Sequence, residues 1–380
     1  MQKNFILITA SDLFFNFATG IFSTYGIILF YQQLNSSIIL ASVPFALLHL
    51  AYATMLRPLS KYIVRLGIKK SLILAIIFYC TGSMILFLNT TNLSWSVLIF
   101  WALFYAIGNA FHYVPVIYVI GHNTNDENRG KMFALRKVLF ILFGIILPLL
   151  GGLVAQYFQL SGILLLCTAS YILSLIPVVM LSKFEIKELK PLKQILKTSH
   201  AKKFILSKAT NVLSYDLNIY WPIYISILFA GNLVDVGILF AASSFASIII
   251  SYIVGTKINR GNELKMYNSI TWTTTLAWFA RVLSINYFAA VITDTIYKIN
   301  LTFVESVIDI IDYDLMNNSS HKDIQVEFII IKELAANYAK TLAYIVFPIL
   351  IAIAGFNTSF AIIGVLSFIA MSITRRILLR

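Results

Sequence analysis

Charge is scarce in this sequence. Lys, Arg, Asp and Glu make up 12% of its 380 residues, where a water-soluble domain carries about 25%. A chain so short of charge cannot cover its own surface with water-compatible groups, which excludes a string of ordinary soluble domains. Acidic residues are the rarer sign, 16 against 29 Lys and Arg. Cysteine is nearly missing: Cys80 and Cys167 both fall in apolar stretches, so no disulfide framework is implied. The five histidines are scattered, and no His-Glu-x-x-His, paired-cysteine metal motif, Gly-x-Ser-x-Gly elbow or Walker-type phosphate loop occurs. Nothing points to an enzyme, a bound metal or a cofactor, or to ATP as an energy source.

What is abundant is apolar. Hydrophobic residues make up 59% of the chain and aromatics 14%, and the mean hydropathy is +0.85. A bilayer span needs about 20 such residues. Apolar runs predict twelve spans over 5–30, 37–56, 70–88, 95–119, 133–156, 162–182, 206–229, 235–254, 265–284, 287–311, 327–353 and 357–374. The loops between them alternate in charge. One set carries Lys3, then Arg57 to Lys70, Arg129 to Lys137, Lys183 to Lys208, Lys257 to Lys265, Lys322 and Lys332, and Arg375 to Arg380. The other set (31–36, 88–93, 157–162, 230–235, 284–287 and 355–359) holds no Lys or Arg. Basic loops stay inside, so both termini are expected in the cytoplasm of a bacterial inner membrane. The net charge of +13 then reads as a topology signal and a contact for anionic lipid headgroups, and a nucleic-acid partner is not expected. The N-terminal apolar run is too long for a signal peptide and is read as a retained first span.

The longest polar stretch, Ser182–Phe204, is Lys-rich with Pro191 in its middle; it lies along the inner leaflet or forms a solvated linker. It separates six spans over 1–182 from six over 205–380. The halves echo each other: Ser11-Asp12-Leu13 with Asn16 answers Tyr215-Asp216-Leu217 with Asn218, and Arg65-Leu66-Gly67-Ile68-Lys69-Lys70 answers Gly255-Thr256-Lys257-Ile258-Asn259-Arg260-Gly261. Corresponding segments in the same order indicate an internal duplication, a common plan among carriers.

On these features the sequence resembles the major facilitator superfamily. Arg65, Gly67, Lys69 and Lys70 fit that family's loop signature between helices two and three, with Ser60 and Val64 replacing its first Gly and its acid. Gly255, Arg260 and Gly261 fit the second copy, with Asn259 at the acidic position. Pro148-Leu149-Leu150-Gly151-Gly152 is similar to the motif associated with antiporters, Leu147 replacing its preceding Gly. The resemblance implies an all-α membrane protein of twelve helices in two pseudo-symmetric bundles. The bundles would rock about a cavity lined by spans one, four, seven and ten.

Candidate site residues are ionisable groups inside these spans, each of which costs roughly 2.5–3.5 kcal/mol to insert unless compensated. In span ten Asp294, Lys298, Glu305 and Asp309 fall within about 60° of one another at 100° per residue. In span eleven Glu333, Asn337, Lys340 and Tyr344 do the same. Span one aligns Asp12, Asn16, Thr19 and Ser23, and span four aligns Tyr105, Asn109 and His112. Span seven contributes Lys208, Asn211, Tyr215, Asp216 and Asn218, with a kink expected at Trp221-Pro222. Asp12 and Asp216, at equivalent points of the repeat, form a symmetric pair of acids. Each stripe is either a lining surface for solute or protons, or a buried inter-helix network. Arg281 is expected to snorkel to the outer surface, and His49 to be structural. The mixed signs point to a polar, zwitterionic or cationic solute and a monomeric, proton-coupled secondary carrier, with export favoured by the Pro148 motif. The alternatives are a lipid or amphiphile flippase and a transport-inactive sensor or assembly protein of the same fold.

Overall fold

The computed structural model describes residues 2–123, 129–182, 205–206, 208–209, 212, 215–255, 263–301 and 325–378. Every regular element of these residues is helical, and Glu305, Asp309, Arg260, Asn211 and the linker after residue 182 lie outside them. Each of the twelve expected stretches contains helix, and among the described residues five helices are long and apolar enough to cross a membrane.

Helix α1 (Gln2–Ile21) runs through a π-helical turn, Phe22–Gly26, into α2 (Ile27–Gln33). The chain reverses at Asn35 and Ser36, both with positive φ. Ser37 then caps α3 (Ile38–Phe87), its Oγ accepting from the Leu40 N–H at 3.3 Å. Helices α4 (Trp95–Asn123) and α5 (Arg129–Val179) complete the first half. In the second half a 3₁₀ turn, Asp216–Ile219, leads into α6 (Tyr220–Leu228); Ala230 and Gly231, again with positive φ, lead to α7 (Leu233–Gly255). Then come α8 (Glu263–Val282), α9 over residues 287–301, and α10 (Gln325–Leu378).

Three of these helices each hold two expected spans. Helix α3 breaks at Gly67 (φ 74°), α5 at Gln159 (φ 51°) and α10 at Gly355 (φ 77°). The short loops expected at 157–162 and 355–359 are therefore single-residue breaks at Gln159 and Gly355, because one left-handed residue is enough to redirect the chain. The kink expected at Trp221-Pro222 falls one turn earlier. Pro222 sits in the first turn of α6, where a missing N–H removes no bond. The irregular 3₁₀ turn before it leaves the Tyr215 carbonyl to accept from Tyr297 Oη at 3.1 Å and the Asp216 carbonyl from Tyr344 Oη at 3.4 Å.

Within the first half α3 packs on α4 and α5, and α1 on α4 and α5; within the second, α8 packs on α10 and α6 on α7. The halves meet where α3 lies on α10, α5 on α7 and α2 on α6. At the α5–α7 crossing the backbones nearly touch. A Cβ on Gly152 would sit 2.6 Å from the Leu233 carbonyl oxygen, and one on Gly237 would sit 2.5 Å from the Pro148 carbonyl oxygen. Gly151 leaves room for the ring of Tyr25, whose hydroxyl donates to the Pro148 carbonyl at 2.6 Å. A glutamine seals the same crossing: Gln156 Oε1 accepts from the Leu233 N–H at 2.7 Å.

Helix α10 shows how the faces divide. Leu342, Ile345, Val346, Ile349 and Ile353 are exposed, and at 100° per residue they fall opposite Glu333, Asn337, Lys340 and Tyr344. On α9 the exposed Phe288, Ile292 and Ile296 likewise lie opposite Asp294 and Lys298. The apolar stripes suit lipid, and the ionisable stripes turn to the protein interior.

Candidate functional site

Among the described residues, three clusters of ionisable side chains in the interior bring the expected site residues together. In the first half, buried Asp12 on α1 is the hub. Asn16 Nδ2, one turn on, donates to its Oδ1 at 2.8 Å, His112 Nε2 on α4 lies 3.2 Å from the same oxygen, and Arg136 Nη2 on α5 donates to Oδ2 at 2.5 Å. Phe15 stacks on the His112 imidazole with ring centroids 3.4 Å apart. Asn109, one turn before His112, accepts from Tyr79 Oη on α3. One carboxylate thus ties three helices together. Arg136, which sequence assigns to a cytoplasmic basic loop, points inward to it.

In the second half, buried Asp294 on α9 has the same office. Ser243 Oγ on α7 donates to it at 2.5 Å, Lys298 Nζ lies 2.9 Å away and Arg281 Nη2 on α8 lies 3.4 Å away. The expectation that Arg281 snorkels is corrected: its side chain is 0% exposed. Its guanidinium carbon lies 4.3, 4.6 and 3.8 Å from the ring centroids of Trp221, Trp278 and Tyr297, and Nη2 donates to Asn218 Oδ1 at 2.7 Å. The aromatic faces replace water around the cation, so the energetic reason to reach the surface is gone. Lys298 also donates to the Phe240 carbonyl and to the Ser243 and Ser244 hydroxyls at 2.7, 2.7 and 3.0 Å.

The third cluster lies where the halves meet. Lys340 Nζ on α10 pairs with Asp216 Oδ1 of the 3₁₀ turn at 2.8 Å. One and two turns away on the same face, Asn337 and Glu333 reach across to α3. His49 Nδ1 lies 2.6 Å from Asn337 Oδ1, and Tyr52 Oη donates to Glu333 Oε2 at 3.1 Å. Asp12 and Asp216 are therefore not equivalent. Asp12 is buried within its own half, while Asp216 is half-exposed and bonded to α10.

Apart from Arg281–Asp294, whose cation is fully buried, the Arg and Lys ion pairs of the described residues share a pattern. Each has a cation that keeps about a quarter of its side chain exposed: 23% for Arg136, 23% for Lys298 and 25% for Lys340. Among the loop-motif residues, Arg65 is exposed, Gly67 is the break in α3, and Lys69 Nζ donates to the Val179 carbonyl at the end of α5. Gly255 is the last residue of α7. Pro148, Gly151 and Gly152 form the α5–α7 crossing rather than part of any ionisable cluster. Among the described residues, no group of three or more His, Cys, Asp and Glu is placed to hold a metal ion.

The sequence matches the family model of the Major Facilitator Superfamily over residues 7–309. Two solved structures are similar along nearly the whole chain. One is a POT family transporter in complex with a thioalcohol-conjugated peptide: TM-score 0.72, 13% identity, covering 99% of this chain and 95% of that one. The other is a bacterial homologue of the iron transporter ferroportin in an inward-facing state: TM-score 0.70, 10% identity, covering 100% and 98%. At these identities the likeness is one of fold.

Proposed function

The chain belongs to the major facilitator superfamily, and we propose that it is a secondary active carrier that moves a small polar, zwitterionic or cationic solute by alternating access, coupled to protons. Membrane-spanning transport is the common ground of the family and of both similar structures; solute class, coupling and direction are our own reading. In it the two six-span halves are the rocking bodies, and both termini lie on the cytoplasmic face of a bacterial inner membrane.

The observation that carries the proposal is that each interior cluster holds one part-exposed cation paired with an acid: Arg136, Lys298 and Lys340. A charge facing hydrocarbon is costly, and the apolar stripes of α9 and α10 already face outward, so these surfaces face water between the helices. Within the three clusters Arg136, Lys298 and Lys340 are each matched by an acid, Asp12, Asp294 and Asp216, while Arg281 shares Asp294 and Glu333 adds a fourth acid, so four cations stand beside four acids. An interior set for a purely anionic solute would be dominated by unmatched cations, and one for a greasy solute would be nearly uncharged. Opposite signs set side by side suit a solute that carries both, or one whose cationic group replaces Lys340 at Asp216. The same balance favours a soluble solute over a lipid tail, and charges held at this cost argue against a transport-inactive scaffold. Export is supported by the likeness of Pro148, Gly151 and Gly152 to the antiporter motif.

Thermal unfolding of the purified protein against a library of metabolites tests solute class, since a compound recognised by the folded cavity alone raises the midpoint. Zwitterionic or cationic compounds are expected to stabilise. Stabilisation confined to anions or to lipids would contradict the proposal.

A further inference from the structure

Glu333 differs from the three acids of the interior ion pairs. Asp12, Asp216 and Asp294 each lie within salt-bridge distance of a cation, whereas Glu333 has no such partner among the described residues. Its Oε2 accepts from Tyr52 Oη at 3.1 Å and from Asn337 Nδ2 at 3.4 Å. No hydrogen bond reaches Oε1 among the described residues, and the side chain is half-buried.

The bond from Tyr52 joins the two halves of the chain. Tyr52 and His49 are three residues apart on α3, and Glu333 and Asn337 are four apart on α10, so each pair shares a helix face. Together they make two rungs, Tyr52–Glu333 and His49–Asn337, across the α3–α10 contact. We infer that Glu333 is the proton-exchanging carboxylate of this carrier, and that Tyr52 transmits its protonation state to the opposite half. The inference rests on the proton-coupled carrier proposed above.

A hydroxyl donating to an ionised carboxylate makes a bond roughly twice as strong as one to a neutral acceptor. Ionised Glu333 therefore holds Tyr52, and α3 with it, against α10. A proton arriving from water adds to Oε1, the oxygen that has no donor. The acid is then neutral, Oε2 is a poorer acceptor, and the rung loosens. When the proton leaves Oε1 to water the rung re-forms; no electrons move and no other bond changes. The titratable groups facing Glu333 are Tyr52 and His49 on α3, Tyr113 on α4, Asp216 in the 3₁₀ turn and Lys340 on α10 itself. Helix α8 meets the far part of α10, at Gly364 and Phe368, and supplies none of the hydrogen bonds to Glu333.

The test needs no solute. Full-length protein in lipid nanodiscs is examined by infrared difference spectroscopy on acidification, and by pulsed electron spin resonance between labels on α3 and α10 after replacement of Cys80 and Cys167. In the wild type a protonated-carboxyl band appears on acidification and the α3–α10 distance shifts with it. Glu333→Gln loses that band and holds the acid-form distance at every pH. Tyr52→Phe keeps the band and loses the distance shift. Glu333→Asp, the fallback if the Gln variant does not fold, moves the midpoint of the band. An acid band unchanged in Glu333→Gln, a midpoint unmoved in Glu333→Asp, or a wild-type distance response in Tyr52→Phe would overturn the inference. None of these results bears on solute flux, so the carrier proposal stands or falls separately, on vesicle transport by the wild type.

Discussion

At the scale of single residues, the second half is organised around a buried arginine. Arg281 fills the space between Trp221, Trp278 and Tyr297 and shares Asp294 with Lys298. Removing one partner of a buried pair leaves a charge uncompensated and typically costs about 3–5 kcal/mol. Arg281→Ala is therefore expected to lower the thermal midpoint strongly. Arg281→Lys recovers part of the loss by keeping the charge without the planar ring contacts. A midpoint unchanged in Arg281→Ala would show that the cation contributes nothing net to the fold. Lys340 is the opposite case, because its pair with Asp216 keeps 25% and 30% of the two side chains exposed. Breaking a half-buried pair costs less than breaking a fully buried one, so Lys340→Met should lower the melting midpoint less than Arg281→Ala and still fold by size exclusion, yet lose solute-dependent stabilisation. Some of this is legible in the sequence and some is not. The i, i+4 spacing of Asp294 and Lys298 announces their pairing, and the stripe on span eleven announces a polar face. The partners that define each cluster lie far along the chain: Arg136 is 124 residues from Asp12, Arg281 is 63 from Asn218, and Tyr52 is 281 from Glu333. Only packing brings them together, so a charge near a span's end reads as a loop residue or a snorkel until its neighbours are known.

At the scale of helices, the breaks matter most. Gly67 and Gly355 take positive φ where glycine does so without strain, and Gln159 takes φ 51° and ψ −147° at the position in α5 that Gly355 holds in α10. That region is nearly closed to residues with a Cβ, at about 1–3 kcal/mol. Gln159→Gly is expected to raise the melting midpoint, and Gly355→Ala, where an added Cβ meets nothing within 4 Å, to lower it through backbone strain alone. Equal and negligible shifts would refute the assignment of strain. Hydropathy placed a loop near each of the three breaks, but nothing in a Gln announces the left-handed residue at 159. The α5–α7 crossing is the other helix-level feature. Added side-chain bulk in a close-packed contact costs about 1–3 kcal/mol, and at Gly237 the obstacle is the Pro148 carbonyl, which cannot swing aside. Gly237→Ala is expected to separate α5 from α7, seen as a longer spin-label distance across that crossing. An unchanged distance would mean that the crossing has slack the geometry does not show.

At the scale of the molecule, two halves each held by a buried carboxylate hub meet along α3–α10 and α5–α7. Asp12 gathers α1, α4 and α5; Asp294 gathers α7, α8 and α9. The fold class was open to sequence reading because hydropathy and the alternation of basic loops are set by the bilayer itself. The meeting surface was not, since its rungs join residues that share no local pattern. Lys340, Asp216 and Glu333 lie on that surface, where a solute or a proton would touch both halves at once. The most direct measurement is proton movement in sealed vesicles containing the purified protein and a pH-sensitive dye, with a stabilising solute added under an imposed proton gradient. Solute-dependent proton flux in the wild type, abolished in Lys340→Met, is the predicted result. Solute flux that is indifferent to the proton gradient, or that survives the loss of Lys340, would contradict it.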